Sequence, residues 1–201
     1  MEETNLYYAL LGDIHSSKED LEKVLADIVL KSPEATIVGT GDLYECIISK
    51  RDITEKKFTK LQDVMIIPEG FTELLPFLSV RGNQEERIVL ITETENPLRE
   101  QLATMPETLD IHGAKITHGH QWKWSGEPRL PIFKEADKSL VFYGHSHASG
   151  LMHNGIHQQI KFDVPYDVSG ESILVNVGAV KDDREWLLYD FLKSTVTFMK
   201  A

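Results

Sequence analysis

Tyr143-Gly144-His145-Ser146-His147 closes the apolar run Leu140-Val141-Phe142-Tyr143, and its reading decides the fold. Four consecutive apolar residues, three of them β-branched or aromatic, predict a short buried strand. On an extended chain residues i and i+2 point the same way, which would aim the imidazoles of His145 and His147 into one space. Gly144, on their N-terminal side, would let the backbone bend away from the run. A histidine pair after a strand is, alone, an ordinary polar loop. Four more apolar runs upstream end in the same manner.

Residues 6–11 stop at Gly12-Asp13-Ile14-His15-Ser16, and residues 35–38 stop at Gly39-Thr40-Gly41-Asp42. Between them Leu21, Val24, Leu25, Ile28 and Val29 fall at helical spacing, with Ser16 or Ser17 as cap and Ser32-Pro33 as stop. Strand, helix, strand with short joints predicts a βαβ unit and a parallel pair. Residues 77–80 end at Arg81-Gly82-Asn83-Gln84-Glu85, and Ala114-Lys115-Ile116-Thr117 ends at His118-Gly119-His120. The connecting segments predict mostly helix over 43–76 and a helix over 86–105 interrupted at Asn96-Pro97. A hairpin is predicted around His112-Gly113, and a loop with a terminal helix over 121–138. The Asn154-Gly155 dipeptide marks a two-residue hairpin turn, and 172–177, 186–191 and 195–199 complete a β-like tail.

A length of 201 residues suits one domain over 1–201 with a sizeable core. A net charge of −11 argues against gripping a nucleic-acid backbone. A small phosphorylated substrate is compatible with it only if positive charge is supplied locally. No apolar run approaches the roughly 18 residues of a membrane span, and the acidic start Met1-Glu2-Glu3 lacks the order of a signal peptide. With Cys46 the sole cysteine, a reducing, cytoplasmic setting is expected. No membrane partner is expected, and self-association into a homo-oligomer is left open.

In a largely parallel sheet the C-terminal strand ends lie along one edge, where such sheets build their sites. Asp13, His15, Asp42, Asn83, His118, His145 and His147 would converge there. Imidazole with carboxylate and no thiolate suits Mn, Fe, Co, Ni or Zn better than Ca. Seven donors exceed the needs of one ion and suit two that share a carboxylate.

Taken together, Gly12-Asp13-Ile14-His15, Gly41-Asp42, Gly82-Asn83, His118-Gly119-His120 and Gly144-His145-Ser146-His147 resemble the motif series of the calcineurin-like metallophosphoesterases. All five occur in family order, and the chain is most similar to the compact bacterial and archaeal phosphodiesterase branch. The resemblance implies an α/β fold, a two-sheet sandwich flanked by helices in four αββα layers. It implies two divalent transition-metal ions per chain, manganese first, with Fe, Ni, Co or Zn as the others. Asp13, His15 and His147 would hold one ion; Asn83, His118 and His145 would hold the other, with Asp42 bridging. Asp42, Asn83 and His120 are the expected catalytic residues, with His120 left open between orienting a ligand, contacting substrate and facing solvent, and a metal-bridging hydroxide would attack phosphorus in line. Two dications against Asp13, Asp42 and that hydroxide leave a formal charge of roughly +1, the complement of a phosphodiester monoanion.

Two positions depart from the family pattern. Where many members carry a histidine that contacts the phosphate, this chain has Gln84, which cannot deliver a proton at neutral pH. The aspartate motif continues as Leu43-Tyr44-Glu45, without the Asp-Arg-Gly of the protein phosphatases and dinucleoside polyphosphate hydrolases. A phosphodiesterase is therefore expected. A phosphomonoesterase or nucleotide phosphatase, or a non-catalytic scaffold of the same fold, are the alternatives. Trp122 and Trp124 are read as packing under their loop, with stacking on an aryl group as the other reading. Arg81, Lys123 and Arg129 are candidate phosphate contacts, and His112, His153 and His157 are expected at the surface. Asn176-Val177-Gly178-Ala179 is read as packing near the site.

Overall fold

Alternation along the central strands decides the layering. The computed structural model describes residues 6–55, 57–125, 131–132 and 140–201. In chain order it contains β1 (Tyr7–Leu11), α1 (Lys18–Lys31), β2 (Thr36–Gly39), β3 (Glu45–Cys46), β4 (Met65–Ile66), β5 (Leu78–Ser79), α2 (Asn83–Ile91) and α3 (Pro97–Thr104). There follow β6 (Thr108–Ile111), β7 (Ala114–Thr117), β8 (Lys123–Trp124), β9 (Pro131–Ile132), β10 (Leu140–Tyr143), β11 (Gly150–His153) and β12 (Ile156–Gln158). The last four strands are β13 (Pro165–Asp167), β14 (Ile173–Asn176), β15 (Glu185–Asp190) and β16 (Thr195–Lys200). One six-stranded sheet runs β13-β16-β15-β1-β2-β5 and the other β12-β11-β14-β10-β7-β6.

Successive side chains on a strand face opposite ways, and the burial follows that rule. Tyr8 and Leu10 of β1 join Leu140 and Phe142 of β10, Ile116, Val175, Leu187 and Phe198 in the core between the sheets. Ala9 and Leu11 turn outward, to meet Leu21, Val24 and Ile28 of α1, Ile88 and Ile91 of α2, and Leu102 of α3. Burying each such aliphatic side chain stabilises the fold by about 1.5–3 kcal/mol. On the outer face of the second sheet Val141, Tyr143, Met152 and Leu174 are covered by Trp122 and Trp124. The molecule is thus a two-sheet α/β sandwich, with all three described helices on the first sheet. The helix expected at the end of 121–138 lies outside the described residues.

The parallel strands aim the site. β1 lies beside β2, and β2 beside β5, in parallel. In the other sheet β10 is parallel to both β7 and β14. Instead of one largely parallel sheet with a single functional edge, two mixed sheets each carry three parallel strands, β1-β2-β5 at one side of the first and β14-β10-β7 in the middle of the second. Their C-terminal ends meet at one end of the sandwich.

Four local expectations are corrected. The described residues of 43–76 form no α-helix: they make the β3–β4 ladder, three 3₁₀ turns and loops. Leu43, Tyr44, Cys46, Leu61, Val64, Met65, Phe71 and Leu75 are buried one by one against the core rather than along a helical stripe, so tertiary anchoring overrides propensity. Val29 of α1 is exposed, one position off the buried stripe. Ser17 occupies the α1 N-cap, but its hydroxyl donates to Asp20 (2.7 Å) instead of accepting a helix amide. Ser16 donates to the Ile66 carbonyl and accepts from the Glu45 amide. The 86–105 prediction resolves into α2, starting earlier at Asn83, and α3, where Asn96 Oδ1 caps Leu98 N and Pro97 opens the helix. Among the described residues no helix is long and apolar enough to cross a membrane.

Candidate metal centre

The loops that follow β1, β2 and β10 are bent more sharply than extended chain allows. Asp13, His15, Ser16, Asp42, His145 and His147 all have positive φ, between 47° and 71°, a conformation that costs non-glycine residues and concentrates at functional sites. His145 and His147 therefore do not share a space as i and i+2 of a strand; each goes to a different group. Nor does Gly144 supply the bend. It is glycine because a Cβ there would lie 2.8 Å from Asp13 Oδ2. Gly82 is excluded from carrying a side chain in the same way, since its Cβ would lie 2.1 Å from Asp42 Oδ1.

Hydrogen bonds lace these loops together and offset the strain. Asp13 N donates to Gly41 O (3.0 Å), and Ile14 N and His15 N both donate to Asp42 O (2.8 and 3.0 Å). His145 N donates to Asp13 Oδ2 at 2.8 Å. Asn176 Nδ2 reaches Gly144 O and Ser146 Oγ, tying β14 to the same loop.

Two groups of donors result. Asp13, His15 and His147 form one, and Asp42, His118 and His145 the other, with the potential ligand atoms within 4.8 Å of one another in each. Asn83 joins the second, its Oδ1 3.3 Å from His118 Nε2. Asp42 Oδ2 links them, 3.3 Å from His118 Nε2 and 3.7 Å from His15 Nε2. All seven predicted donors thus lie around one space.

The donor chemistry fits cations. Asp13 Oδ1 is buried without a hydrogen-bond partner, facing His147 Nε2 at 3.6 Å and His15 Nε2 at 3.9 Å. His15 Nδ1 points to Glu45 Oε2 at 2.8 Å, which turns its Nε2 lone pair toward Asp13 and His147. His118 Nδ1 donates to the Thr40 carbonyl (2.8 Å), so its Nε2 confronts two oxygens, those of Asp42 and Asn83. Such a meeting of acceptors calls for a proton or a metal.

The titration behaviour agrees. Burial drives Asp13 up to about 7, helped by the charges of Asp42 and Glu85. Burial also opposes ionisation of Asp42, yet His118, the Gln84 amide and His15 hold it at about 2. His118 is raised to about 9 against its burial, by the charges of Asp42 and Asp13 and by the Thr40 carbonyl. Burial and the His118 charge lower His145 to about 4, and burial with His15 lowers His147. Neutral imidazole is the form that ligates metal.

With this geometry in place, comparison decides the family. The calcineurin-like phosphoesterase superfamily domain matches residues 6–192. The chain belongs to that superfamily. The metallophosphoesterase from Sphaerobacter thermophilus shares the fold of this phosphoesterase domain at 19% identity and a TM-score of 0.67, covering 98% of this chain and 88% of its own. Yfce, a phosphoesterase from E. coli, aligns at 18% identity and a TM-score of 0.47 over 92% of this chain and 88% of its own. No curated protein matches.

Other residues of the phosphoesterase domain take places the sequence did not assign. His120 Nε2 sits 3.0 Å from Glu86 Oε2, while its Nδ1 is buried and unpaired; its ring is 5.3 Å from that of His118. Burial, then the His118 charge, lowers its pKa. Trp124 packs on Tyr143 and lies 5.5 Å from the His145 ring, its indole N–H given to Gly119 O. Arg81 is not directed at the site; it pairs with Glu107 and the Ala103 carbonyl. Lys123 is exposed, and Arg129 lies outside the described residues. His157 is exposed as expected, but His153 is half-buried, as is His112, which is bonded to Tyr8 Oη. Glu45, Glu85 and Lys181 were not singled out. Lys181 reaches Glu45 at 3.4 Å, bringing a cation to the His15 and His147 side. Gln84 is a strut: its Oε1 accepts from Cys46 N at 3.1 Å.

Proposed function

We propose that this chain is a two-metal phosphodiesterase that cleaves a small phosphorylated substrate by direct in-line attack of water. The observation that carries the reading is the junction of two donor groups at Asp42 Oδ2. Asp13, His15 and His147 would hold one divalent ion, and Asn83, His118 and His145 the other, with Asp42 shared. Imidazole, carboxylate and amide donors suit manganese, with iron, nickel, cobalt and zinc as alternatives. When bound, such ions supply Lewis-acid charge against the phosphoryl oxygens and lower the pKa of the attacking water.

The chain's own groups do the rest. Glu45 and the Thr40 carbonyl orient His15 and His118 by their Nδ1 atoms, leaving Nε2 inward. Asp42 uses Oδ1 to cap α2 at Gln84 N (2.8 Å), which leaves Oδ2 as the oxygen that would serve a bound ion. Asn83, at the first turn of α2, would contact the phosphoryl group. His120, steadied by Glu86 through Nε2, would stand beside the leaving group. Gln84, committed to Cys46, offers no proton at the place the family resemblance reserves for a histidine. General acid help typically contributes about 10²–10⁴-fold, and alkyl monoesters need it most.

Activated aryl diesters should therefore be hydrolysed faster than alkyl monoesters, with close to two metal ions per purified chain. Metal analysis beside a diester and monoester panel tests this. Alkyl monoesters turned over faster than every diester would overturn the phosphodiesterase reading and make His120 the proton donor. A single-step displacement should also invert a chiral phosphorothioate diester at phosphorus, and retention would exclude direct attack.

A further inference from the structure

Residues 42–46 carry a feature the ligand set does not use. Their alternate amides are all taken by side chains from the first turn of α2. Asp42 N donates to Glu85 Oε2 (3.0 Å), Tyr44 N to Glu85 Oε1 (3.0 Å) and Cys46 N to Gln84 Oε1 (3.1 Å). Gly82 N adds a third bond to Glu85, to Oε2 at 2.9 Å. In return Asp42 Oδ1 accepts from Gln84 N. Glu85 is fully buried, and every bond just described is to backbone N–H.

We propose that Glu85 is a positioning residue: its carboxylate clamps the backbone of residues 42–44 to the start of α2 and so fixes the direction in which Asp42 presents Oδ2. Asp42 holds a left-handed backbone at φ 52°, a conformation that must be imposed from outside the residue. Three amides on both oxygens need an acceptor-only group. Glutamine has the same shape but one acceptor oxygen, and its NH₂ would face a donor. Aspartate keeps the charge but is one methylene short. A buried amide left without its partner favours rearrangement of the loop, and Asp42 Oδ2 would then leave the junction. This inference rests on the two-metal reading above, and its test does not depend on activity.

The experiment is calorimetric titration of the metal-free protein with Mn²⁺ alone. Glu85→Gln should bind Mn²⁺ about 10–100-fold more weakly than wild type, the range for partners that orient ligands. Glu85→Asp should lose less. Leu102→Ala, a buried truncation in α3, destabilises the core and should leave Mn²⁺ affinity unchanged. Wild-type affinity in both Glu85 variants would overturn the positioning role while leaving the two-metal reading intact. So would an equal loss in Leu102→Ala, or failure of both Glu85 variants to fold, since the role would then be general to the fold. Absence of Mn²⁺ binding by wild type would overturn the two-metal reading, and this inference with it.

Discussion

Asp42→Asn should lower turnover of every phosphoester the protein accepts by more than about 100-fold. Partners that only orient ligands cost about 10–100-fold when lost, and Asp42 Oδ2 lies between the two donor groups. The substitution is close to surgical. An amide oxygen can still accept from Gln84 N, so the α2 cap survives, and the backbone bonds from Ile14 and His15 to Asp42 O are untouched. What goes is the negative charge on Oδ2, 3.3 Å from His118 Nε2 and 3.7 Å from His15 Nε2. Metal content should fall below that of wild type in parallel with the rate. Initial rates at saturating Mn²⁺, read beside metal analysis and a thermal melt, check this. A folded Asp42→Asn enzyme within about tenfold of wild type, short of even the loss expected for an orienting partner, would remove Asp42 from the shared position.

Stripped of metal by a chelator, the protein should lose stability as pH rises from about 7 to about 9. Asp13 has a folded value near 7 against an ordinary value of 3.8. Its contribution is fully present below the ordinary value and is lost as pH climbs through about 7. His118, raised from 6.5 to about 9, contributes fully below 6.5 and ceases to above 9. Asp42 has the opposite sign, but its contribution is lost only as pH falls from 3.8 through about 2. His145, His147 and His120 also have the opposite sign, because their folded values are lowered, but they act below the ordinary 6.5. From about 7 to about 9 the folded state therefore holds more protons than the unfolded one, and the slope is negative. A tenfold change in a group's proton affinity on folding is worth about 1.4 kcal/mol, so the total fall is on the order of a few kcal/mol. Metal replaces those protons, so the gain in Tm on adding Mn²⁺ should grow with pH. Melts across this range, with chelator and with Mn²⁺, measure both; a chelated protein more stable at the alkaline end than at the acid end contradicts the argument.

Much of this was legible in the chain because it is carried by spacing. The five apolar runs ending beside glycine gave the strands and seven donors, and the hairpins at His112-Gly113 and Asn154-Gly155 formed as read. What failed depends on contacts distant in sequence. Residues 43–76 have enough charged and helix-prone residues to suggest a helix, and only α2 lying alongside explains why they form a strap instead. Glu85 stood in a quoted motif, but nothing in its neighbours says that it accepts three amides. Gln84 was read by what it lacks as an acid, whereas its place is set by the amide of Cys46. The division of the histidines between two groups came from family resemblance; strand periodicity would have put His145 and His147 together.

The two donor groups have one further property in common: each draws on both sheets. His15 and His147 lie 132 residues apart, and the Thr40 carbonyl that orients His118 meets it across 78. Closing loops of that length precedes any reward from the contacts they permit. The site can therefore be completed only after the two sheets have come together. An ion that needs both halves cannot act as a nucleus. Its stabilisation falls on the unfolding rate, not on the folding rate, so metal loading lengthens the lifetime of the folded chain without hastening its arrival.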